Sequence, residues 1–220
     1  MATPEYQKIA VIGASGYVGG PIADEARARG HQVTGIRRSA TSGANEVAAD
    51  IFDTDRLSEI LEGHDVVIHA FNPGRGSTAP DIFDVFVAGH RSIIAATLAA
   101  GVKRLLCVGG AGSLITRSGL PLLESDEWPA QFDIYKPSIL ATRELFYLLK
   151  ETPQDLDWVY LSPSNMLTDQ PARGSYRVGS DHMLYDADGI SHISVTDYAK
   201  AMIDELEQPR HHRARFTVGY

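Results

Sequence analysis

Three glycines, Gly13, Gly16 and Gly19, recur at three-residue intervals directly behind the apolar run Ile9, Ala10, Val11, Ile12. Residues this small let a chain turn sharply out of a strand and bring helix N-terminal N–H groups against an anion. In such an arrangement Gly13 makes the turn, Gly16 lets the backbone approach a pyrophosphate, and Gly19 permits close helix–strand packing. Ala14, Ser15, Tyr17 and Val18 fill the places between, with Ser15 and Tyr17 offering hydroxyl and backbone contacts to phosphates. The same glycines would equally serve a strand–helix turn that holds no ligand.

Further along, Arg37 and Arg38 stand where an NAD-specific site places a carboxylate for the ribose 2′-hydroxyl. Two guanidinium groups pair instead with a 2′-phosphate, so the pattern favours NADP(H), with NAD(H) still admissible. The bland alternative is a pair of solvated arginines at a strand end. Asp50 can accept from the adenine amino group while Ile51, beside Phe52, supplies apolar contact to the ring. Ala70, Phe71 and Asn72 are expected beside the adenosine ribose and pyrophosphate. Gly109 and Gly110, followed by Ala111 and Gly112, leave an open backbone surface suited to the nicotinamide ribose or a flat ring. The eight histidines show no metal-ligand spacing, and His64, His69 and His90 read as packing or surface residues.

These residues need elements to hold them, and the hydrophobic pattern supplies a regular alternation. Ile9–Ile12 reads as a strand buried on both faces. A helix follows from about Gly19 to Arg29, with Pro21 in its first turn and Gly30 closing it. Strands are expected at 31–36, 47–49, 64–70, 103–109 and 158–161, with a last one at 216–220. Helices are expected after Asp53, which can cap the first of them, and at 81–100, 137–150 and 197–207. Residues 110–130 form a long irregular, ligand-facing segment. Residues 171–193 carry turn signals and read as a short hairpin-like region. The order predicts an α/β fold, a Rossmann-like doubly wound parallel sheet in three αβα layers with a small C-terminal substrate-side region. A chain of 220 residues fits one such domain, its cofactor half about 1–110 and its substrate-side loops about 111–193.

Composition narrows the function classes. A net charge of −8 leaves no basic footprint for nucleic acid. The single cysteine, Cys107, lies in an apolar run and reads as a buried thiol outside any intrachain disulfide. No apolar segment reaches the roughly 18 residues of a membrane span. The first strand begins too early for a leader peptide to precede it, so a cytoplasmic protein is expected.

Taken together, GlyAlaSerGlyTyrValGly at 13–19, ValGlyGlyAlaGlySerLeu at 108–114, AspTrpValTyrLeuSerPro at 157–163 and IleSerValThrAspTyrAlaLysAlaMet at 193–202 resemble one family. It is the short-chain dehydrogenase/reductase superfamily, in its atypical NADH-flavin-reductase-like members, with biliverdin/flavin reductases as relatives. The resemblance spans essentially the whole chain and implies a Rossmann-fold protein binding NAD(P). It carries Lys136 and Pro163 to the cofactor and points to Ser113, Tyr135 and Lys136 as candidate catalytic residues. The sequence departs from the superfamily's Tyr-x-x-x-Lys: Tyr135 and Lys136 are adjacent, and Ile139 stands where the lysine belongs. Adjacent residues cannot stack as an i, i+4 pair on a helix.

That departure suits a flavin or quinone-like small-molecule acceptor, with FMN or FAD as substrate rather than prosthetic group, because its proton can come from water. A non-catalytic NADP(H) sensor and an epimerase or dehydratase are the alternatives. Residues 72–80, 110–135 and 165–190 are expected to line the acceptor pocket, with Phe71, Trp128, Tyr135 and Met166 as ring contacts. No membrane partner is expected, and either a monomer or a homodimer fits.

Overall fold

Strand β1 (Lys8–Ile12) lies between β2 (Gln32–Arg37) and β4 (Val66–His69), parallel to both, with Ile9 opposite Val33 and Val66. The computed structural model describes residues 7–39, 45–74 and 76–220. Outward from β2 lies β3 (Glu46–Ala48); outward from β4 lie β5 (Arg104–Val108), β6 (Asp157–Pro163), β10 (Ala214–Gly219) and β8 (Arg177–Gly179). Seven of these eight strands run parallel, and β8 closes the edge antiparallel to β10. The chain crosses from one half of the sheet to the other at β1 and β4, where a crevice opens beyond the strand ends.

Alternation along the strands divides the core into two layers. Ile9, Val11, Val66, Ile68, Leu106, Val159 and Leu161 face α1 (Gly19–Ala28) and α5 (Val195–Glu207). Ala10, Ile12, Val67, Leu105, Cys107, Trp158 and Tyr160 face α2 (Thr54–Leu61), α3 (Ile82–Ala99) and α4 (Lys136–Lys150). Asp53 caps α2, accepting from the Arg56 N–H at 3.0 Å. Cys107 is buried among these residues, and burial pushes its thiol well up.

Two expectations change. Helix α3, at 18 residues, is long and apolar enough by length and composition to cross a membrane. Its composition follows from packing between α2 and α4, where Phe86, Ile93 and Ala96 are buried. The hairpin expected within 171–193 does not form. The turns exist, with Gly174 and Gly189 at φ +76° and +79°, but β8 pairs with β10, and β9 (His192–Ser194) pairs in parallel with β7 (Met166–Thr168). Burial decides this. Ile193 and Ser194 are fully enclosed, and the Ser194 hydroxyl accepts from the Asp197 N–H at 3.1 Å to start α5, so β9 must lie over the core.

Candidate functional site

The turn after β1 is fastened before any ligand is considered. The N–H groups of Gly13 and Ala14 donate to the Ile36 carbonyl at 3.0 and 3.4 Å, and Gly16 N–H donates to the Gly13 carbonyl at 2.9 Å. Gly13 has φ +87°, and a Cβ there would stand 2.5 Å from the Ala70 oxygen. A Cβ on Gly19 would stand 2.2 Å from the Gly13 oxygen, whereas one on Gly16 meets its nearest atom at 3.1 Å. Two of the three glycines are therefore required by packing alone, while a Cβ on Gly16 would press only on the Gly13 oxygen. The N–H groups of Ser15 and Val18 meet no acceptor among the described residues, leaving donors at the start of α1 for an anion.

A cleft of about 660 Å³ runs from this turn across the strand ends, a volume in the range of cofactor sites. Gly13, Ser15, Gly16, Tyr17 and Val18 form its cradle, Arg37 and Arg38 its β2 end, and Ile51 a wall after β3. Ala70, Phe71 and Asn72 line it after β4, and Gly109 after β5. Other predicted site residues lie outside this lining. Ala14 is buried beneath the turn. The Asp50 carboxylate turns back to accept from the Phe52 N–H at 3.0 Å. Gly110 donates its N–H to the Tyr160 hydroxyl at 2.9 Å. Pro163 ends β6 opposite Val218. The Ser113 hydroxyl accepts from Arg215 at 2.8 Å. Lys136 pairs with Asp133 at 2.9 Å beside Trp128, and Tyr135 lies against Phe132.

Several lining residues were not singled out in the sequence. Ile12 and Ile36 floor the cleft, and Phe86, Val108, Thr142 and Leu167 close its sides. Phe86 stands at helical spacing on α3, a pattern that marks core but not site. Leu167 falls within the segment 165–190 expected to line the pocket, whereas Thr142 carries no local signal, because α4 reaches the cleft only through the tertiary fold. Tyr160 acts from beneath: its hydroxyl donates to the Thr142 carbonyl at 2.9 Å, and its ring fills the space a Cβ on Gly109 would need, at 2.4 Å. Gly109 is thus a glycine for packing as well as for an open surface.

The Phe71 wall is braced by a buried histidine pair. Phe71 N–H donates to His69 Nδ1 at 3.3 Å, which assigns the His69 proton to Nε2 and directs it to His90 Nδ1 at 2.9 Å. Burial lowers the His69 imidazole to about 3 and holds His90 well below its ordinary value, so both rings are neutral. Phe71 meets Phe86 edge-on at 5.6 Å and Phe52 at 6.5 Å. His64 lies elsewhere, bonded to Thr34 at 2.9 Å.

A glycine turn at the switch of an open parallel sheet, with unpaired helix N–H groups over a cleft, defines a dinucleotide-binding Rossmann protein. Residues 13–209 match the NAD(P)H-binding family, and the chain belongs to it. It is 37% identical over 218 residues to the protein YwnB of Bacillus subtilis, covering 96% of this chain and 97% of that one. A provisionally assigned epimerase of Bacteroides thetaiotaomicron superposes with a TM-score of 0.85 at 40% identity, with 98% of each chain covered. A provisionally assigned NADH-flavin reductase of Streptococcus pneumoniae superposes with a TM-score of 0.82 at 33% identity, covering 97% of this chain and 99% of that one.

Proposed function

We propose that this chain is an NADPH-dependent reductase of a flavin or quinone-like acceptor. The observation that carries the reading is the ionisable content of the cleft: among the described lining residues there are two arginines, Arg37 and Arg38, one tyrosine, Tyr17, and no Asp or Glu. A lining free of carboxylate favours a 2′-phosphate over a bare ribose 2′-hydroxyl. Bound NADPH supplies a hydride from its nicotinamide. The chain's own part is then to bind, orient and enclose. The Ser15 and Val18 N–H groups face the pyrophosphate, the arginines hold the 2′-phosphate, and Phe71 with Ile51 walls the adenine. Gly109, Val108 and Leu167 present a flat, largely apolar surface at the far end, suited to stacked rings.

The acid–base chemistry of the cleft supports an acceptor that takes its proton from water. A ketone would need a positioned proton donor, but Lys136 is engaged with Asp133 outside the cleft lining, and the Tyr160 hydroxyl is spent on Thr142 and Gly110. The Tyr17 hydroxyl stands 3.5 Å from the Leu167 carbonyl. Steady-state oxidation of NADPH against FMN, riboflavin and a quinone, beside a panel of aldehydes and keto-sugars, tests the reading. Turnover with the planar acceptors is expected; turnover confined to the carbonyl compounds would overturn it.

A further inference from the structure

Glu46 is the first residue of β3 and belongs to no motif, yet its side chain is only 8% exposed and sits between two arginines. Its Oε2 accepts from Arg37 Nε at 2.6 Å and its Oε1 from Arg27 Nη2 of α1 at 2.8 Å. The carboxylate rests where β2 has Gly35: a Cβ there would come within 2.3 Å of Oε2 and 2.6 Å of Oε1. Gly35 and Glu46 are directly paired across the two strands, so the register that builds the sheet also delivers this carboxylate under Arg37.

The geometry points to Glu46 as a positioning residue that sets cofactor specificity through Arg37. This inference rests on the reading of the arginines as 2′-phosphate ligands. A guanidinium has five N–H donors. Glu46 occupies only the one on Nε, and among the described residues no acceptor meets the Nη groups, which remain for an anion at the cleft end. A long side chain clamped at Nε forgoes most of the rotamer freedom it would otherwise lose on binding. Arg38, by contrast, is exposed and meets no carboxylate among the described residues. Arg27 also meets the exposed Asp24 at 3.2 Å, so with Arg38 beside Arg37 three guanidinium groups stand against two carboxylates, and Glu46 orients Arg37 while the cleft end stays cationic.

The test measures dissociation constants for NADPH, NADH, 2′,5′-ADP and 5′-AMP in the intact protein. Glu46→Ala should weaken NADPH and 2′,5′-ADP by about ten-fold, the scale of one charge-assisted hydrogen bond, and leave NADH and 5′-AMP unchanged. Glu46→Gln, which keeps an acceptor for Nε, should recover most of that loss. Gly35→Ala, which expels the carboxylate from its seat, should reproduce Glu46→Ala and also guards against a folding defect peculiar to that variant. Combining Glu46→Ala with Arg37→Ala should cost no more than Arg37→Ala alone, since one group acts through the other. Equal weakening of NADPH and NADH would reduce Glu46 to a structural role and overturn the proposal. So would a large loss with Arg37→Ala alongside none with Glu46→Ala. If Arg37→Ala itself leaves NADPH binding unchanged, the 2′-phosphate reading falls, and this inference with it.

Discussion

At the scale of single residues, the glycines at the cleft have two reasons for being where they are. Gly13 and Gly19 are fixed by backbone oxygens 2.5 and 2.2 Å from any added Cβ, and Gly109 by the Tyr160 ring, so the nucleotide cradle is also a packing solution. His69 carries a consequence for pH. Its ordinary value near 6.5 is held down to about 3 in the folded protein, so the unfolded chain binds the proton more readily. Stability from this group is therefore complete above about pH 6.5 and is lost as pH falls toward 3, at up to about 1.4 kcal/mol per unit. Denaturant unfolding across that interval should show a shallower pH dependence in His69→Gln than in the wild type. Identical slopes would remove His69 from the account.

At the scale of elements, local rules account for what was legible in the sequence and long-range pairing for what was not. Asp53 before a polar, helix-forming run announced the start of α2, and its carboxylate does cap that helix. Asp53→Ala should cost about 1 kcal/mol in unfolding free energy, measured by denaturant titration, with no change in cofactor affinity. Apolar runs gave the parallel strands because both faces of such a sheet are buried. The order of α1 through β6 followed from the alternation alone, whereas the partners of β8 and β9 did not. A three-residue strand carries too little pattern to choose a neighbour, and there the buried Ile193 and the Ser194 cap outweighed the turn signals. The same limit hid Thr142, which lines the cleft, and Glu46, which sits beneath Arg37 through strand register rather than through any motif. Asp50 shows the reverse: a residue type suited to adenine is held by its own turn.

At the scale of the whole molecule, the fold places a cationic end on a cleft of a chain with net charge −8. Two apolar layers, α1 with α5 and α2 with α3 and α4, clamp the sheet so that loops after five different strands converge at its switch point. Within the first layer the helices are also tied by charge, where Arg29 on the C-cap of α1 meets Asp204 and Glu207 of α5 at 2.7 and 2.8 Å. What converges is a long cleft with anion donors at its middle, arginines at one end and a flat glycine-lined surface at the other. On the proposed reading such a site would hold a reduced dinucleotide and present it to another planar molecule, with orientation as the protein's main contribution. Anaerobic stopped-flow mixing of the NADPH-loaded protein with FMN tests this most directly. The account predicts that NADPH absorbance decays at a rate that saturates with FMN and slows when the nicotinamide hydride is replaced by deuteride. Absorbance that stays constant with FMN, FAD, riboflavin and quinones alike would contradict it.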